Sequence, residues 1–553
     1  MLATGPWTQI YFPFGASLWP LSTLVAALPT LLLFYLLAGR GAKPHWSALS
    51  AGGLAVAIAS VVFHMPWTMS TASFLFGAGF GVKIAWIVVC AVYLYDVSVE
   101  TGQFEIMKDS VAALSADRRL QALLVAFAFG AFIEGCAGFG SPIAISGAFM
   151  IGLGFDPFHA AVLNLIANTA PVAWGSIGTP VHTLAAVTGL PESDLSACIG
   201  RILPITALIV PFWMVRVLVG KDPSPWKRVW EVWPAIVTCG ASFAITQFLW
   251  ANYVDSNLVD IAAAAVCLFT MVAFLKFWKP KSSGVFDSPA VQSVPFGKAF
   301  RSWTPFLILS VFVLLWGLPA VKNKLNDKTT PIFDMPGLHN QVQRDAPVVA
   351  KPTKEAARFD ANWLTATGTA AFLAAFLSGL VLGLGPVKLM RVFFHTLYRM
   401  RFGVLAITAM LGLGYVTRYS GMDAVLGLAF THAGWFYPFF GTFLGWLGVA
   451  LTGSDTASNA LFGSLQRITA QQLRIDPILM GAANSAGGVM GKMVDAQSIV
   501  VATAATRQFG QEGRILRALV WHSLALASIV GVIVMIYAYA LGTLVPHGLT
   551  FVK

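Results

Sequence analysis

Apolar stretches of about 20 residues recur from one end of this chain to the other, each bounded by a short polar break. A soluble core needs nothing of the kind, whereas a bilayer span does. Charge is correspondingly scarce: 11% of the 553 residues are charged, against about 25% in an ordinary soluble domain. The first run, 18–37, ends at Gly39-Arg40 and lacks the basic start of a cleaved signal peptide, so it reads as a retained span. The runs are too apolar and too poorly alternating for an outer-membrane barrel, and the expected fold is all-α and polytopic. The count comes to about 12 to 14 spans.

The formal net charge of +11 does not point to nucleic acid. The basic residues sit in short loops beside spans, where they orient a protein in the bilayer. Arg40 and Lys43; Lys108, Arg118 and Arg119; Lys221, Lys227 and Arg228; Lys388, Arg391, Arg399 and Arg401; and Arg507, Arg514 and Arg517 fall in alternate connections and are placed in the cytoplasm. The opposite connections, 64–72, 188–196, 251–259 and 432–438, carry no Lys or Arg. Arg467 and Arg474 are exceptions on the outer side. The five cysteines have no paired spacing and read as small buried residues. The expected organisation is a first half, 1–280; a cytoplasmic linker, 281–302; a connecting span, 303–320; a polar extracytoplasmic loop, 321–360; and a second half, 361–553.

Two regions resemble each other. GAFIEGCAGFGSPIAI (130–145), an Asp-Pro turn at 156–157 and NTAPVAWGSIGTPV (168–181) are matched by GWLGVALTGSDTASNALFGSL (445–465), an Asp-Pro turn at 476–477 and NSAGGVMGKMVDAQSIV (484–500). Asn168 stands as far from Gly175 as Asn484 does from Gly491. Each unit reads as a re-entrant hairpin (130–150; 445–470) followed by a broken span (158–187; 477–506). The flanking charges send the first hairpin in from the cytoplasm and the second from outside. Inverted repeats with broken helices near the midplane mark secondary transporters.

Non-helical backbone at membrane depth survives only where protein or water satisfies it. Freed N–H groups at half-helix starts attract anions, and Ser, Thr and Asn beside them bind hydroxyl and carboxylate oxygens. The substrate residues expected from this pattern are Ser141, Asn168, Thr169, Ser454, Thr456, Asn484 and Ser485. The alternative is that small residues merely let helices pack closely.

Glu134, at the end of an apolar helix where the first hairpin turns, is the sharpest ionisable residue. A carboxyl at that depth is expensive unless it works or is paired, so it reads as a proton-coupling group or as a carboxylate capping hairpin N–H groups. Asp455 is its counterpart in the second hairpin, either a helix cap or a proton-linked group. Lys492 and Asp495 lie in the second broken span, as a substrate-attracting charge or an i,i+3 ion pair. His182 titrates near neutrality when exposed, but a lone histidine in a span also serves as a simple hydrogen-bonding group.

The strings VETGQFEIMKDS (99–110), FGAFIEGCAGFGSP (129–142), NTAPVAWGSIGTP (168–180), GWLGVALTGSDTASNALF (445–462) and GGVMGKM (487–493) with QSI (497–499) resemble the lactate permease family over nearly the full length. The resemblance implies uptake of lactate or glycolate with a proton across the bacterial inner membrane, without a cofactor or a metal, by a fold of two inverted repeats with re-entrant hairpins. A sodium-coupled carboxylate carrier of the same architecture is the alternative. Asp495-Ala496 and Ser141 depart from the family's usual pattern, which bears on the exact substrate. An intramembrane enzyme would need a nucleophile–base pair or metal cluster, and no HExxH, Walker or GxSxG motif is present. The preferred hydroxy acid, the proton stoichiometry and the oligomeric state are not set by these residues.

Overall fold

The computed structural model describes residues 6–138, 141–220, 222–280, 286, 294–317, 321, 324–326, 329–349, 351–508 and 511–547. Among the described residues, 9 helices are long and apolar enough to cross a membrane, or up to 11 if each bent pair is one span. The sequence expectation was higher because an apolar window does not reveal helix length. Thr367–Val381 has only 15 residues and the hairpin arm Ser141–Gly152 only 12, short of the roughly 20 that span a bilayer. Leu24, Val61, Leu75, Ile245, Phe269 and Val311 are exposed on the outer surface, as lipid-facing side chains are.

The two longest helices, Trp67–Glu100 and Pro386–Ser420, pack together along their length. Gly77 and Gly81, four residues apart, make this possible. A Cβ on Gly77 would lie 2.4 Å from the Leu411 carbonyl oxygen, and one on Gly81 2.5 Å from Thr408 Cα. The same device seats the second hairpin on the second broken span. Added Cβ atoms on Gly445 and Gly487 would meet Asn484 O at 1.9 Å and Thr442 O at 2.0 Å. Backbone cannot retreat as a flexible side chain does. Gly487→Ala is therefore expected to cost at least the roughly 1–3 kcal/mol typical of overpacking, read as a lower thermal midpoint of the purified protein in detergent. An unchanged midpoint would contradict this packing.

The loops sort into two ends. At one end Arg119 binds Asp117 and Glu231, Arg399 binds Asp96, and Lys388 binds Glu100. At the other, His182 meets Asn257, Gln9 donates to the Arg418 carbonyl, and Gln472 donates to Pro347 O. Arg467 joins the second end, where its guanidinium donates to Thr188 O, so it remains an exception to the charge pattern.

Beside the helices, a few short strands pair near the N-terminus and in segment 321–360. Segment 321–360 is not plain loop: Val342–Arg344 pairs with Thr353–Glu355 and with Trp7–Thr8, and Ile332–Asp334 pairs with Arg358–Asp360. Two- and three-residue strands of this kind carry too little alternation to be read from sequence. The expected linker 281–302 lies mostly outside the described residues. Its described end forms a helix, Phe296–Ser302, which bends by 44° into the connecting span.

Candidate functional site

Both hairpins turn on a glycine in the left-handed region. The first enters through a fully buried helix spanning Arg118–Cys136, turns at Gly138 (φ 58°) and returns as Ser141–Gly152. The second enters as Tyr437–Thr452, turns at Gly453 (φ 74°) and returns as Asp455–Leu473. Ser454 caps that return helix, its Oγ accepting from the Ala457 N–H. The side chain of Ser141 lies outside the described residues.

Each broken span begins after an Asp-Pro step. Asp156 accepts from the His159 N–H and Asp476 from the Ile478 N–H, so each carboxylate caps a helix whose first residue is proline. The first span runs as Pro157–Ala167, breaks over Asn168–Pro171 and resumes, bent by 62°, through Val172–Thr188. Within its second arm Ser176, Ile177 and Gly178 are left-handed (φ 48°, 58° and 74°). Left-handed backbone at two successive non-glycine residues, one of them β-branched, costs on the order of 1–3 kcal/mol each and persists only where the surroundings enforce it.

The second span differs from expectation. Helix Pro477–Gly491 runs unbroken through the glycine-rich stretch, and the break falls at Lys492–Asp495 before Ala496–Ala505. Asp495 caps the second arm by accepting from the Ser498 N–H at 2.7 Å. The glycines that suggested a break instead receive the second hairpin. Taking Asn168 with Asn484 as the register, Ser176 corresponds to Lys492 and Gly178 to Val494, so both spans share a break at this point.

That correspondence extends to contacts. Ser176 Oγ donates to the carbonyl of Ala137 at the first hairpin tip (2.8 Å). Lys492 Nζ donates to the carbonyl of Gly453 at the second tip (2.5 Å). Each break thus holds the tip of its own hairpin through the equivalent residue.

The two tips and two breaks enclose a cavity of about 30 Å³, room for about two waters. Its wall includes Glu134, Gly175, Ser176, Thr179, Ser454, Asp455, Thr456 and Lys492. Glu134 is 4% exposed and lies against the Gly175 backbone, where a Cβ would come within 2.6 Å of its Oε1. Its Oε2 has no hydrogen-bond partner among the described residues. Lys492, Asn168 and Asp495 are its polar neighbours. Asp455 accepts from Ser485 Oγ (2.5 Å) and Asn459 Nδ2 (3.2 Å). Behind it, Asn484 donates to Asn459, Gln466 donates to Asn484, and Tyr437 donates to Gln466. A second cavity, of about 250 Å³, adjoins Gly453, Ser454, Thr456 and Lys492 and runs past Gln497 to His45 and Phe402.

The expected residues therefore divide. Glu134, Ser454, Asp455, Thr456 and Lys492 reach the cavity. Ser485 stands one hydrogen bond behind it and Asn484 further back. Asn168 lies beside Glu134. Thr169 turns away, its Oγ1 donating to Ile166 O at 2.7 Å. His182 bridges Glu192 and Asn257 at 2.8 Å each and does not line the cavity. Asp495 caps its helix and sits 3.7 Å from Lys492 Nζ, so the ion-pair alternative is the observed geometry. Ser176, Thr179, Asn459 and Gln466 were missed, although the first three stand inside the matched motifs.

The L-lactate permease family profile matches residues 22–541. The chain belongs to the L-lactate permease family. Glycolate permease GlcA of Escherichia coli K12 is 44% identical, over 96% of this chain and 98% of its own. The L-lactate permeases of E. coli K12 and Bacillus subtilis 168 are 41% and 39% identical, each over 98% of this chain and 100% of theirs. Among solved structures, the YdaH transporter of Alcanivorax borkumensis aligns with a TM-score of 0.48 at 14% identity, over 91% of this chain and 100% of that one. This permease-family member is a multi-pass membrane protein, and its matched motifs are the ones that build the hairpin tips and breaks.

Proposed function

We propose that the protein imports lactate and related 2-hydroxymonocarboxylates such as glycolate, together with protons, across the plasma membrane. The observation that carries this reading is the end-to-end similarity to L-lactate and glycolate permeases, with the matched motifs converging on one buried cavity. The cavity chemistry suits such an anion. Lys492 and the freed N–H groups at the start of the Asp455 helix attract a carboxylate, and the hydroxyls of Ser176, Thr179, Ser454 and Thr456 suit a 2-hydroxyl group. A cavity of about 30 Å³ is too small for a six-heavy-atom anion, so binding requires the tips to part. Glu134 and Asp455, each with an unpartnered oxygen in the same wall, carry the proton. Labelled lactate uptake into proteoliposomes is expected to follow an imposed pH gradient and to ignore a sodium gradient. Glycolate should compete and a dicarboxylate such as succinate should not. Uptake driven by sodium alone would reject the proton reading in favour of the sodium-coupled one.

The two hairpin units are taken to be inverted, giving equivalent gates on opposite sides of one site. The equivalence of Ser176 and Lys492 and the loop charges support this. Single cysteines at Ala116 and Gly434 provide the test. All five native cysteines are buried, out of reach of an impermeant reagent, and the background lacking them is first checked for lactate uptake. A membrane-impermeant thiol reagent on intact cells should label position 434 and spare 116. Labelling of both, or of 116 alone, contradicts the inversion.

A further inference from the structure

We propose that Asp260 is a second proton-carrying group of the transporter, sharing one proton with Glu134. This rests on the proton-coupled reading above and extends it to a residue outside the hairpin and broken-span motifs.

Asp260 stands one residue inside helix Val259–Phe277 and is fully buried, with 0% exposure. Among the described residues neither of its carboxyl oxygens has a hydrogen bond of good geometry. Helix-capping carboxylates do not look like this. Asp255, just before the same helix, accepts from the Asn257 and Leu258 N–H groups at 2.7 and 2.8 Å. The capping work is already done, and Asp260 is left over.

Its position explains its presence. Gly135, next to Glu134, is pressed against the start of this helix, and a Cβ there would lie 3.0 Å from Asp260 Cβ. Gly178, in the left-handed stretch of the first broken span, is pressed against the same segment, 2.3 Å from Ser256 O for an added Cβ. The segment 256–260 is therefore wedged between the first hairpin and the first break. Asp260 has Glu134, Gln247 and the Trp174 backbone as neighbours. Gln247 Nε2 donates to Ala170 O at 3.1 Å, which fixes its amide orientation. Its Oε1 is an acceptor that also lacks a donor. The donors beside the Asp260 carboxyl are the Gln247 amide and the Trp174 N–H, and both already donate to carbonyls, of Ala170 and Pro171. A carboxylate there shares donors that are already engaged, whereas a carboxylic acid brings a donor of its own to a site where Gln247 Oε1 lacks one.

Two carboxyls close together hold one proton between them more readily than two charges. The other ionisable groups around the pair are Lys492 and Asp495, which face Glu134 from the second break, and Cys136, which neighbours Asp260 from the hairpin. Glu192 and His182 lie on the outer side, where both hydrogen-bond to residues 256–257. In the transfer step the O–H bond of the Asp260 carboxyl breaks and an O–H bond forms on the Glu134 carboxylate. Asp260 is left as a carboxylate and regains a proton from water at the outer end. No electrons move and no other reactant is needed.

The experiment compares two activities of one preparation in proteoliposomes: lactate accumulation driven by a pH gradient, and lactate–lactate exchange without one. The wild type is measured first. If its accumulation ignores the pH gradient, the proton-coupled reading fails by itself, and this proposal falls with it. If it responds, Asp260→Asn is expected to keep exchange within about twofold while accumulation drops at least about tenfold. Asp260→Glu, which restores the carboxyl, should recover accumulation with a displaced dependence on outer pH. A structural role would move exchange and accumulation together. Undiminished accumulation in the Asn variant overturns the proposal. So does an equal loss of both activities in the Asn variant that the Glu variant either leaves unrepaired or repairs with an unchanged pH profile.

Discussion

Glu134→Gln is expected to abolish accumulation of lactate against a gradient while leaving the protein folded and inserted. The substitution keeps the shape and the contact with Gly175 but removes the group that gains and loses charge. If one proton accompanies each anion, a gradient of one pH unit supports about tenfold accumulation. The variant should reach a ratio of about one and still exchange labelled for unlabelled lactate. Carboxyls at this depth are costly to keep, and the neutral variant should be at least as stable as the native chain. A variant that accumulates lactate as steeply as the wild type would remove Glu134 from the coupling.

The second large effect concerns Lys492. Its ammonium is 6% exposed, donates to the Gly453 carbonyl and lies 3.7 Å from the fully buried Asp495. Lys492→Met leaves Asp495 buried without its counter-charge, which costs about 3–5 kcal/mol, and releases the second hairpin tip. Transport is expected to fall about a hundredfold, the scale of one lost charge-assisted hydrogen bond of about 3 kcal/mol. Pairing it with Asp495→Asn removes the orphaned charge. The double variant should regain most of the thermal stability and none of the transport. If the double variant also recovers transport, Lys492 serves only to neutralise Asp495. If neither single change lowers stability, the buried pair is not what holds this break.

Much of the architecture was legible because bilayer burial writes itself into sequence. The apolar runs, the Asp-Pro turns and the glycine at each tip can be read from residue type alone, since each answers a local requirement of backbone or solvent. Glu134 and Asp455 stood out for the same reason, as charges in apolar surroundings. What escaped depends on tertiary contact. The glycines at 487, 488 and 491 signal either a broken helix or a helix receiving another backbone, and only the docking of the second hairpin decides for the latter. Thr169 and His182 look like ligands by type, but their partners are the carbonyl of Ile166 in one case and Glu192 and Asn257 in the other. Ser176 was passed over beside more polar neighbours, yet its equivalence to Lys492 organises the site. Asp260 was visible as a carboxyl inside an apolar run, but nothing in its local sequence linked it to a hairpin some 130 residues earlier. The short strands of 321–360 left no periodic trace.

The most direct test is a structure of the protein determined with L-lactate bound. The substrate is predicted to lie between the two hairpin tips, its carboxylate toward Lys492 and the start of the Asp455 helix and its hydroxyl toward Ser176 or Thr179, in a cavity widened by separation of Gly453 from its present contact. Lactate bound away from both tips, with the cavity beside Glu134 still closed, would contradict the account.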